Sequence, residues 1–241
     1  MDPESTDMDT LSFEYRFSRD ESARQTYRLE LDARTLEALA PAHEDSPPEW
    51  ARLAFHQCPG CPLSAAEVTW CPLARRLADL QPLFEDVISW QEMDVEVTTP
   101  ERTMVARTTA QRALGSLMGL LMPVSGCPHT RYFRPMARFH LPFASEDETI
   151  FRACGMYLLA QYFLDEDDAD AGSGLDGLET IYEQLQEVNR HIARRLREGT
   201  SGDSMVNAVV LLDMLARALP WAIQDRVEEL RPLFSAYLAR D

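Results

Sequence analysis

The segment Asp94–Val124, DVEVTTPERTMVARTTAQRALGSLMGLLMPV, changes its hydrophobic period partway along. Asp94–Thr98 and Thr103–Thr109 alternate apolar and polar residues around Pro100-Glu101, the pattern of a β-hairpin. From Thr109 onward the pattern turns helical and stays so, beginning with an apolar run from Ala113 to Val124. That switch divides the chain.

Upstream, Phe13–Phe17 and Tyr27–Leu31 alternate at period two across the polar stretch Ser18–Gln25, which predicts another hairpin. Ala33–Leu39 reads as a short helix, Ala40–Pro48 as a Pro-rich loop, and Trp50–Phe55 as a third strand running into the first cysteines. Pro72–Ile88 carries Leu73, Leu77, Leu80, Leu83, Phe84 and Val87 at helical spacing, with proline in the first turn. Downstream, helices are predicted over 109–122, 131–139, 146–164, 175–198, 203–218 and 220–239, with Pro135 interrupting the second. The third begins with the capping-box pattern Ser145-Glu-Asp-Glu148. It is expected to be central, burying Ile150, Phe151, Met156, Tyr157, Leu158, Tyr162 and Phe163. Asp165–Gly174 reads as an acidic loop.

The expected fold is therefore α+β. Residues 1–10 form a disordered tail, residues 11–125 an antiparallel β-rich part with one or two helices and metal-binding loops, and residues 126–241 an all-helical part. The parts are expected to pack as one body, with a four-cysteine metal site at their junction.

Composition removes several function classes. The formal charge of −17 over 241 residues opposes docking on nucleic acid or anionic lipid, since both present negative charge. All 23 basic residues are arginine, so P-loop phosphate binding and Schiff-base chemistry lack their lysine. The N-terminus has no signal-peptide pattern, and the run Ala113–Val124 falls short of the ~20 residues that span a bilayer. These features predict a cytoplasmic protein with no membrane association.

In a reducing compartment the five cysteines read as thiols or metal ligands before disulfides. Cys58-Pro-Gly-Cys61 places two thiols on a tight turn from which both reach one ion. Cys71 stands at a predicted helix start, and Cys127 lies in the loop after the 109–122 helix. All four precede proline, which fixes φ and holds a ligand loop in one shape. Cys154, inside an apolar helix, reads as a core thiol. Zinc suits a closed four-cysteine site, a [4Fe–4S] cluster takes the same ligands, and a thiolate-held haem is a minor third option. His56 and His129 flank the set and could replace a thiolate or donate hydrogen bonds to it.

Arg131, Arg134 and Arg138 recur at helical steps, as an anion-binding patch or as partners for the abundant carboxylates. Glu183, Glu187 and His191 share a helix face, but di-iron bundles need Glu-x-x-His on two helices. No G-x-S-x-G or H-E-x-x-H occurs.

At HQCPGCPL (56–63), WCPLA (70–74), TTPERT (98–103), SGCP (125–128), RPMARFHLPF (134–143), MYLLAQYF (156–163) and ELRPLF (229–234) the chain resembles an uncharacterised bacterial family, over almost its whole length. The resemblance implies no activity. From the residues, the leading expectation is a zinc-binding, non-catalytic interaction or regulatory protein with a protein partner. The alternative is an iron–sulfur protein in electron transfer or redox sensing. An enzyme using the arginine patch and His140 is a third reading.

Overall fold

The computed structural model describes residues 10–19, 24–40, 47–167 and 175–239. The expected tail, apart from Thr10, lies outside these residues, as does most of the acidic loop at 165–174.

Four strands, β1 (Thr10–Ser18), β2 (Arg24–Asp32), β3 (Glu92–Thr98) and β4 (Thr103–Thr109), form one antiparallel sheet in the order β2-β1-β3-β4. Both predicted hairpins are present, and β1 joins them by pairing Phe17 with Val95 and Tyr15 with Val97. The period-two pattern sends Phe13, Tyr15, Phe17, Leu29, Leu31, Val95 and Val97 to the core. Register is then strongly specified, because a one-residue slip would turn all of them to water.

The helices are α1 (Pro72–Ala78), α2 (Gln81–Phe84), α3 (Ala110–Val124), α4 (Arg134–Arg138), α5 (Glu146–Asp167), α6 (Asp176–Gly199), α7 (Ser204–Leu230) and α8 (Ser235–Leu238). Short 3-10 turns occupy Glu49–Ala51, Arg131–Phe133 and Arg231–Phe234. The sheet, α1, α3 and parts of α6 and α7 share one hydrophobic core. A smaller cluster joins Ile150 and Ala153 of α5 to Leu178 and Tyr182 of α6. No helix among the described residues is long and apolar enough to cross a membrane.

Several local expectations are overturned. Ala33–Leu39 is a turn and not a helix. The Asp32 carboxylate accepts the amides of Arg34 (2.9 Å) and Thr35 (2.7 Å), and Leu36 takes a positive φ of 56°. Trp50–Phe55 is not a strand, because its carbonyls are used by a distant arginine described below. The helix predicted over Pro72–Ile88 breaks near Leu80, where Pro82 cannot donate to the preceding turn. The segment 131–139 divides into a 3-10 turn and α4. The helices predicted at 203–218 and 220–239 are instead one helix to Leu230 that runs through Pro220, followed by a 3-10 turn and α8. A proline removes one donor and bends a helix without always ending it.

The largest correction concerns α5. Its capping box forms as expected, with the Ser145 amide on Glu148 (2.7 Å) and the Glu148 amide on Ser145 Oγ (3.2 Å). Ile150 is buried, but Phe151, Leu158, Tyr162 and Phe163 are exposed. The central helix is α3, whose Leu114, Leu117, Met118, Leu120 and Leu121 are fully buried.

Leu117→Ala should therefore destabilise the fold by about 2–5 kcal/mol in denaturant unfolding, the cost of a core cavity. Phe151→Ala should change stability by less than about 0.5 kcal/mol, as for a surface position.

Candidate functional site

The first cysteine loop is closed by its own backbone. The Cys61 amide donates to the Cys58 carbonyl (3.0 Å) across Pro59-Gly60, and Gln57 Nε2 ties the loop ends by donating to the Leu63 carbonyl (2.7 Å). Cys71 is the residue before α1, held by its amide on the Ala51 carbonyl (2.9 Å). At the end of α3 the chain reverses through Gly126, whose φ of 90° favours glycine. Beyond it the Cys127 amide donates to Ser125 Oγ (3.2 Å), and the Thr130 hydroxyl donates to the Met122 carbonyl (2.6 Å). His129 Nε2 donates to the Gly60 carbonyl (3.0 Å), linking the two loops.

These constraints bring Cys58, Cys61, Cys71 and Cys127 to the wall of one cavity of about 20 Å³, shared with His129 and with Val188, Ile192 and Arg195 of α6. All four are free thiols. Burial pushes the Cys58 thiol up to about 12, and the neighbouring Cys71, Cys127 and Cys61 sulfurs add to the rise. Burial also raises the Cys127 thiol, while hydrogen bonds from the backbone amides of His129 and Thr130 pull it down. Among the described residues no three or more His, Cys, Asp or Glu side chains stand in a metal-ligating arrangement. The thiols share the cavity without being drawn together in it.

Arg195 is the residue that sequence reasoning missed. It is 1% exposed, and its guanidinium donates to the carbonyls of Trp50 (2.9 Å), Arg52 (2.6 Å) and Leu53 (3.0 Å). Residues 50–53 form the end of a 3-10 turn and an isolated antiparallel bridge from Arg52 to Trp70, outside the four-stranded sheet. No carboxylate among the described residues pairs with Arg195. Burial lowers its pKa, and the sulfurs of Cys71, Cys58 and Cys61 oppose that shift. One signal was present in the sequence: Arg195 falls on the apolar stripe of Val188, Ile192 and Leu196, where a charge is out of place.

The other candidates are placed as follows. His129 lines the cavity. His56 turns outward to Glu198 (2.7 Å) and is not among the cavity's lining residues. Arg134 pairs with Glu37 (3.4 Å), Arg138 with Glu101 (2.8 Å), and Arg131 stacks over Tyr132. Cys154 lies apart, beside the smaller cluster of α5 and α6. His140 is half-buried, and its Nε2 shares a hydrogen bond with the Tyr15 hydroxyl (2.5 Å), which also bonds Ser116 Oγ (2.8 Å).

Residues 13–235 match a family described as a domain of unknown function, DUF6901. No curated protein and no solved structure matches the chain.

Burial, aided by the charge of Arg152, pushes the His140 imidazole down to about 3. Between its ordinary value near 6.5 and about 3 the unfolded chain binds a proton that the folded chain refuses, so stability should fall as pH drops through that window. The His140 contribution should approach about 1.4 kcal/mol per pH unit, and His140→Gln should flatten the acid side of a stability–pH curve.

Proposed function

The chain belongs to the DUF6901 family, and we propose that it binds one zinc ion through Cys58, Cys61, Cys71 and Cys127 and acts as a non-catalytic interaction or regulatory protein whose fold the ion ties together. The observation that carries this reading is the small cavity shared by four cysteines from three separate stretches of chain, beside a buried arginine with no carboxylate partner among the described residues.

Charge argues for the same assignment. Neutral thiols would leave the Arg195 charge buried among dipoles alone, an expensive state. Four thiolates around a divalent cation carry two net negative charges, for which Arg195 is a fitting counter-charge. The amides aimed at the Cys127 sulfur also favour a thiolate there. A cysteine sulfur swings by rotation about one bond between staggered positions, so an ion could draw in thiols that already border its space.

Size separates zinc from the alternative. A cavity of about 20 Å³ has room for roughly one water-sized sphere, which suits a single ion better than a cube of four irons and four sulfides. Four protein ligands would leave no open position for substrate, which makes the site structural. The interaction role draws on α5, where Phe151, Leu158, Leu159, Tyr162 and Phe163 are exposed, because extended apolar patches commonly mark contact surfaces.

Elemental analysis of the purified protein should find one zinc per chain and no visible colour. Absorbance near roughly 400 nm with bound iron would favour the cluster. Cys58→Ser and Cys127→Ser should each lose zinc and lower the unfolding temperature, since metal affinity appears as folding energy, while Cys154→Ser should keep both. Arg195→Met should weaken zinc retention against a chelator. Full metal content in both of the first two variants overturns the assignment.

A further inference from the structure

Beside α3 and separate from the cysteine cavity lies a cleft in two adjoining compartments, of about 360 and 140 Å³. They have Gly119, Met136, Thr149, Leu212 and Leu215 in common. Their summed volume is in the range of small-molecule sites, and the lining is mainly apolar. The floor is one stripe of α3. Arg112, Gly115, Gly119 and Pro123 follow one another at three- and four-residue steps with Ser116 beside Gly115, a run of about 16 Å at 1.5 Å per residue. A Cβ placed at Gly119 would meet nothing within 4 Å, so the space above this glycine is open.

The two ends of the cleft differ in chemistry. At the inner end stands Asn189 of α6. It is fully buried, and neither its Oδ1 nor its Nδ2 has a hydrogen-bond partner among the described residues. A buried amide left unpaired is costly, so a group that both donates and accepts is wanted there. Gln186, one turn earlier, already donates to the Ala216 carbonyl (3.1 Å).

At the outer end are two guanidiniums. Arg152 is held by the carbonyls of Met136 (3.0 Å) and Phe139 (2.8 Å). Arg112 is exposed and makes no ion pair or hydrogen bond with any described residue. Glu148, the carboxylate whose charge reaches Arg152, is engaged by the Ser145 amide. His140 also lines this end, with its Nε2 occupied by Tyr15.

We propose that this cleft binds a medium-chain carboxylic acid with a hydroxyl at its far end. The carboxylate meets Arg112 and Arg152, the chain lies over Gly115 and Gly119 against Leu212 and Leu215, and the hydroxyl pairs with the Asn189 amide. A guanidinium recognises a carboxylate through paired N–H donors, and the apolar walls contribute by removing the chain from water. The site stands whether or not the cysteines hold metal.

Titration calorimetry of the full-length protein with 10-hydroxydecanoate and with decanoate tests the proposal. One saturable site is expected, with the hydroxy acid bound about tenfold more tightly or better, because decanoate leaves the buried amide unpaired. Gly119→Leu should abolish binding of both acids without lowering the unfolding temperature, since its side chain enters open space and suits a helix better than glycine. Arg112→Gln should weaken both acids alike. Asn189→Leu should erase the preference for the hydroxy acid. Absence of saturable binding by either acid, or binding that survives Gly119→Leu, overturns the cleft assignment. Equal affinities of the two acids for the unsubstituted protein overturn the role of Asn189.

Discussion

The Arg195 guanidinium occupies the interior of the protein and finds three carbonyls there, those of Trp50, Arg52 and Leu53. Much else follows from that placement. The 50–53 segment wraps the cation with three of its carbonyls, and the remaining one, on Ala51, takes the Cys71 amide. The same segment stacks Arg52 over Trp70, next to Cys71. Helix α6 is thereby joined to both the start of α1 and the cysteine loops. A buried cation is tolerated when hydrogen bonds and a counter-charge accompany it, and sulfur atoms are the neighbours on hand.

Helix α3 organises what remains. Its apolar surface is covered by the sheet, α1 and α7, and its C-terminal end delivers Gly126 and Cys127 to the cysteine cavity. Its small residues leave one stripe uncovered, and there the cleft opens. The structure thus places a closed, sulfur-lined cavity at one end of this helix and an open, arginine-lipped cleft along its side. Both reach α6, the first through Val188, Ile192 and Arg195 and the second through Asn189.

The strands and the capped start of α5 were legible because each is encoded by near neighbours. Alternation in Phe13–Phe17 and Val95–Val97 names the buried face of a sheet, and Ser145 and Glu148 need only each other. The tight turn of Cys58-Pro-Gly-Cys61 was legible in the same way, since proline and glycine limit the shapes such a loop adopts, whereas only the fold brings Cys71 and Cys127 to the same cavity. The reading of α5 failed for the opposite reason. Its apolar residues surround the helix, and only the positions of α4, α6 and α7 determine which of them are covered.

By itself the sequence determined the period of each element, the acidic balance of the chain and the local geometry of the cysteine turns, because these rest on contacts within a few residues. Tertiary structure alone decided the rest. Arg195 meets backbone carbonyls 142 to 145 positions away, and Asn189 looks into a cleft built by α3, α4, α5 and α7. Burial of a charge or an amide depends on what closes over it, and covering surfaces from distant parts of the chain leave no mark in the local pattern.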